Sequence, residues 1–231
     1  MSTTASTAQR LRRYTMGSAL IIFPALLVAQ GPLDPASGGT GEVMYTAATQ
    51  HRGTLTISAV LLLISGFLMA PAATGILHQA RDRGAGLANL AAVLAVLGGF
   101  GHAAIAMFYI FALPLDGGDR QQMVDYVERL NAGPVIGAVA FPLILCFGLG
   151  VLAMAWAALR AGLIGWWGPA VVTAIILSHL LLPDPPDVVG LIGLVGLAVV
   201  FGHLGLRILR MTDAQWGGTP HPATTPVPAH A

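Results

Sequence analysis

Three histidines, His102, His179 and His203, sit inside long apolar stretches that hold no carboxylate and no lysine. An ionisable side chain facing lipid is costly, so each should turn toward protein or a wet cavity. His102 and His179 fall in the same outer half of their stretches, while His203 falls in the opposite, inner half. Tyr109 follows His102 by seven residues and shares its helical face. Asp184 follows His179 within one and a half turns, and Glu42 and His51 can approach the same rim. Imidazole as base, with a carboxylate as acid or orienter, suits proton transfer to or from an apolar molecule, because burial and neighbouring charges bring pKa values toward the working range. The candidate catalytic residues are therefore His102, His179, Asp184 and Tyr109, with Glu42, His51, Asp116 and Asp187 as candidates for substrate binding.

Two other readings use the same residues. In one, each histidine is hydrogen-bonded between helices and does no chemistry. In the other, His102 and His179 ligate a haem b iron from opposite faces, with His203 and His78 at the second depth. The leading reading needs no cofactor. A metal site from His51, His102 and His179 lacks tight ligand spacing such as two histidines four apart on a helix. His221 and His230 belong to a polar tail and form no designed metal site.

The elements that must position these residues are six apolar runs, near 15–31, 54–78, 86–113, 134–159, 163–183 and 188–208, free of Asp, Glu and Lys and of Arg save Arg207 in the last. Each meets or approaches the roughly 20 residues needed to cross a hydrocarbon core of about 30 Å. The chain is 55% hydrophobic and 9% charged, against the roughly 25% charge of a soluble domain. The expected fold is all-α, a six-helix transmembrane bundle over 15–211, between a cytoplasmic segment 1–14 and a disordered cytoplasmic tail 212–231. A cleaved signal peptide is the alternative for the first run, since Arg10 to Arg13 precede it and small residues follow near Ala29.

Charge sorting sets the orientation. Arg10, Arg12, Arg13, Arg81, Arg83, Arg160, Arg207 and Arg210 fall on one side of a six-span layout, which the positive-inside rule makes cytoplasmic together with both termini. The acids, except Asp82 and Asp213, fall on the other. The protein is expected in the cell membrane, with membrane lipids or an apolar small molecule as partners. The net charge of +1 and the absence of a continuous basic patch argue against nucleic acid. Without lysine there is no retinal Schiff base and no phosphate-binding loop of the ATPase kind, and without charge at midspan, ion-coupled transport is disfavoured. Passive transport or service as a partner subunit stays open. The single cysteine, Cys146, can form no internal disulfide.

Finer features follow from turn chemistry. Gly31-Pro32-Leu33-Asp34-Pro35, Leu113-Pro114-Leu115-Asp116-Gly117 and Leu182-Pro183-Asp184 pair Pro with Asp at the outer ends of the odd-numbered runs. They read as three related hairpins placing Asp34, Asp116 and Asp184 around one vestibule, or as ordinary helix stops. Asp119 should cap a short surface helix with Met123, Val127 and Leu130 on one stripe, lying at the headgroup level or as a lid. Pro24, Pro71 and Pro142 should kink their helices. Gly190, Gly193, Gly196, Gly202 and Gly205 form a smooth strip for a close neighbour.

Thr49-Gln50-His51-Arg52-Gly53, a span containing Pro71, Gly101-His102-Ala103-Ala104 and Leu130-Asn131-Ala132 together resemble small multi-pass membrane proteins common in high-GC actinobacteria. Size and helix count are also similar to integral membrane terpene cyclases. That likeness implies acid-initiated cyclisation of a prenylated or epoxidised substrate, although the spans here hold no acid.

Overall fold

The computed structural model describes residues 7–37, 39–134, 136–181 and 187–217, and among these every regular element is helical. The chain runs through α1 (Thr7–Gln30), a 3-10 turn (Gly31–Leu33), α2 (Gly41–Gln50), α3 (Arg52–Gln79) and α4 (Ala85–Ala112). A second 3-10 turn (Leu113–Gly117), α5 (Arg120–Asn131) and a π-helical turn (Ile136–Ala140) lead to α6 (Phe141–Arg160), α7 (Trp167–Leu181), α8 (Asp187–Arg210) and the short α9 (Asp213–Gly217). Five helices are long and apolar enough to cross a membrane: α1, α3, α4, α6 and α8. The fifth run forms α7, whose 15 residues rise about 22 Å. It carries the chain from the face where α6 ends to the face where α8 begins.

Small residues decide which helices touch. With no water to squeeze out between helices in lipid, association rests on close backbone approach. A Cβ on Gly66 of α3 would lie 2.6 Å from the Gly99 carbonyl oxygen of α4, and one on Gly99 would lie 2.5 Å from that of Gly66. Gly17 of α1 and Gly205 of α8 meet in the same way, and Gly98, Gly101 and Gly150 seat α4 against α6. The tight neighbours thus run α8, α1, α3, α4, α6, each antiparallel to the next; α7 completes the circuit by touching both α6 and α8. Of the expected glycine strip, Gly205 packs on α1 and Gly196 against Ile175 of α7, whereas Gly190 and Gly202 meet open space.

Packing is uneven along α6. Val151, Met154, Ala155, Ala157 and Ala158 are wholly buried, while Phe141 and Leu145 in the first turns are more than half exposed. Pro142 falls in the first turn of α6, directly after the π turn, so the helix changes its hydrogen-bond period just ahead of the proline. Helices α1 and α3 continue through Pro24 and Pro71.

The two ends of the bundle are closed differently. At the end holding both described chain termini, hereafter the termini face, Asp213 bonds Arg10 and Arg13, each at 2.9 Å. Trp216 is buried against the His78 ring, 4.3 Å between centroids, and its carbonyl oxygen lies 2.9 Å from His78 Nε2. The described start of the expected disordered tail is thus a docked helical turn, held because Trp216 finds a ring and Asp213 finds two guanidinium groups. Residues 218–231, including His221 and His230, lie outside the described residues.

At the opposite cap face, α5 packs on α2. Asp119 caps α5 by accepting from the Gln122 N–H at 3.0 Å, as its position predicts. The stripe that buries is Val124 and Val127, with Leu130 37% exposed, because α5 turns toward α2. Glu128 accepts from the Gly41 N–H at 2.6 Å, and Arg120 pairs with Glu42 at 2.6 Å.

Candidate functional site

Beneath this cap lies a polar cluster built around Asp34. Pro32 occupies the first turn of the 3-10 segment that ends α1, and Asp34 leaves it in extended conformation. One carboxylate oxygen, Oδ1, accepts from the Ala36 N–H at 3.0 Å, a local turn bond of the kind Asp favours. The other, Oδ2, accepts from Gln30 Nε2 at 2.9 Å and from the Tyr109 hydroxyl at 2.9 Å. Gln30 Nε2 also donates to Ser58 Oγ at 2.9 Å. Gln30, Ser58 and Tyr109 are buried, so each needs the partner it has. Three helices converge here: α1 supplies Gln30, α3 supplies Ser58 and α4 supplies Tyr109.

Two cavities adjoin the cluster. One, of about 570 Å³, opens on the cap face and is lined by Asp34, Glu42, His51, Thr46 and Thr54 among others. The second, of about 430 Å³, lies between the cap, α4 and the start of α6, and its walls include Met44, Ile105, Phe108 and Ile144 beside Asp34, Tyr109 and Asn131. Asp34 is the residue common to both. The donors to its carboxylate are a primary amide, a phenol and a peptide N–H, all neutral, and no cation among the described residues pairs with it.

The residues expected from sequence fall as follows. Glu42 and His51 share the first cavity with Asp34, although Glu42 is also tied to Arg120. Tyr109 joins the cluster directly. His102 lies deeper on α4, with Nδ1 3.1 Å from the Gly98 carbonyl oxygen. A carbonyl only accepts, so in the neutral ring Nδ1 carries the proton and Nε2 keeps the lone pair. The ring meets Phe147 of α6 edge-on at 4.3 Å and lines neither cavity described above. His102 and Tyr109 share a helical face, but one serves the α4–α6 contact and the other the end of α1. His203 is exposed near the termini face, edge-on to Trp167 at 5.6 Å, and His78 is engaged by Trp216.

His179 is carried by α7, Asp187 begins α8, and Asp116 lies in the second 3-10 turn; their side chains are outside what is described, as is the whole of Asp184. The vestibule of Asp34, Asp116 and Asp184 accordingly has one described member. Helix α6 lies between α4 and α7, the helices carrying the two histidines considered for haem. Among the described residues, no three of His, Cys, Asp and Glu converge as a metal site.

Gln30 and Ser58 escaped the sequence reading, and Asp34 entered it as a turn residue or one of three acids around a vestibule, outside the candidate site residues. The usable signal was a neutral one. A Gln ending an apolar run, with Asp four residues on, puts an amide and a carboxylate within reach of each other. No protein-family model, curated protein or solved structure matches this chain.

Proposed function

We propose that this membrane-embedded bundle binds a lipid-like molecule, of isoprenoid or similar apolar character, whose hydrogen-bond-donating or cationic end docks on Asp34. The observation that carries this reading is that Asp34 alone belongs to both an outward-opening cavity with a polar rim and an apolar cavity of about 430 Å³. A carboxylate whose charge no described neighbour neutralises is matched by a donor on the ligand, and the Met44, Phe108 and Ile144 walls by its hydrocarbon. Where turnover follows binding, as in a cyclase or isomerase, Asp34 is the acid/base group at the substrate's polar end and Tyr109 positions it. The arginine sorting supports placement in the cell membrane with the termini face cytoplasmic and six crossings, α7 included.

Lipid extraction and mass spectrometry of the detergent-purified protein test this. The expected result is an apolar molecule near one per chain that is lost from Asp34→Asn. Identical lipid content in both proteins rejects the reading.

A further inference from the structure

At the termini face, far from Asp34, a third cavity of about 650 Å³ opens between the end of α3, the α6–α7 turn and the end of α8. His203, Arg207 and Arg210 line it. Their spacings of four and three residues place them on one face of α8, over a rise of about 10 Å. The opposite wall is a tight turn. Gly162 takes a left-handed conformation at φ 70°, with its N–H on Leu159 and that of Leu163 on Ala158, both at 2.9 Å. This Schellman closure turns the Leu163 carbonyl to Arg207, whose Nη1 donates to it at 2.6 Å.

Among the described residues the two arginines lack a counter-charge. Two acids lie at this face: Asp213 is taken by Arg10 and Arg13, and Asp82 sits 3.8 Å from Arg81. Among the described residues, neither Arg207 nor Arg210 has a carboxylate partner. Arg207 keeps further N–H donors after its bond to Leu163, since a guanidinium carries five. Two guanidinium groups in one cavity repel each other, and a phosphate is the planar-donor complement that relieves this. The surroundings are those of a membrane interface. Trp166 is 76% exposed and Leu206 47% exposed, and α8 leads from its apolar span directly into the cavity. Tryptophan at that level marks the headgroup region, and basic pockets between helices at a cytoplasmic face hold anionic headgroups.

We infer that this cavity binds the phosphate headgroup of an anionic glycerophospholipid, with Arg207 and Arg210 as its donors. The inference is independent of the Asp34 site.

Native mass spectrometry of the full-length protein, titrated with phosphatidylglycerol, phosphatidylcholine or sodium phosphate, tests it. Arg207→Gln also breaks the bond to Leu163, so Arg210→Gln is the cleaner variant, and Arg83→Gln on the same face is the charge-matched control. The expected result is one retained phosphatidylglycerol per chain, no displacement by phosphatidylcholine or phosphate, and about fivefold weaker binding for Arg210→Gln with Arg83→Gln unchanged. Equal weakening by Arg83→Gln overturns the site in favour of a diffuse surface field. Equal retention of phosphatidylcholine overturns charge recognition, and full competition by sodium phosphate overturns the lipid assignment.

Discussion

Asp34 and Asp213 sit at opposite ends of the bundle, each joining chain segments through its carboxylate, but the partners differ in charge. Asp34 gathers a phenol, a primary amide and a peptide N–H. Asp213 gathers two guanidinium groups, Arg10 at 54% and Arg13 at 8% side-chain exposure. Around Asp213 the positive charge exceeds the negative, and the group works as a clamp between α1 and the start of α9. Around Asp34 no cation among the described residues answers the carboxylate, and two cavities reach it. Partner charge, rather than the number of bonds, separates a structural tie from a place where a ligand can add something.

Substitutions at each end test that division. The largest effect is expected on ligand retention in Asp34→Asn, a loss of about 10- to 100-fold, the range for a hydrogen bond to a charged group. Its unfolding free energy, followed by denaturant titration in detergent, should fall by about 1–2 kcal/mol, because the amide keeps one acceptor oxygen where the carboxylate had two and turns its NH2 toward one set of donors. The same loss of stability with ligand content unchanged would collapse the contrast with Asp213. Asp213→Asn should lower stability by about 2 kcal/mol, since the largely buried Arg13 is left with its charge unpaired, and it should leave ligand content intact. Tyr109→Phe removes one donor to Asp34 and should cost about 1 kcal/mol in the same titration, with ligand retention falling less than in Asp34→Asn. The smallest effect belongs to Arg10→Gln, under about 1 kcal/mol and fading at high salt, as for an exposed ion pair.

The sequence discloses polarity and period, and both were readable here. The apolar runs became helices, arginine sorting matched the termini face, and Asp119 capped α5 where the pattern put it. What it does not disclose is adjacency. Tyr109 and Asp34 are separated by 75 residues, and only the packing of α1, α3 and α4 around their glycines brings them together. The search for titrating groups led to His102, whose ring settles against Phe147 and its own helix, while the neutral Gln30 and Ser58 pass as ordinary members of apolar runs. The short α9 was illegible for a related reason: Trp216 has no periodic companions, and its partner His78 lies 138 residues earlier.

The contact between α1 and α8, made through Gly17 and Gly205, sets a schedule for biogenesis. Helix α1 is synthesised well before its partner α8, so its glycine face stays without that partner while the intervening helices are made. At translation rates of roughly 5–20 residues per second that wait is on the order of ten seconds or more. Insertion of α1 must therefore be stable on its own apolar length, and the circuit of helices closes only after synthesis of α8 is complete.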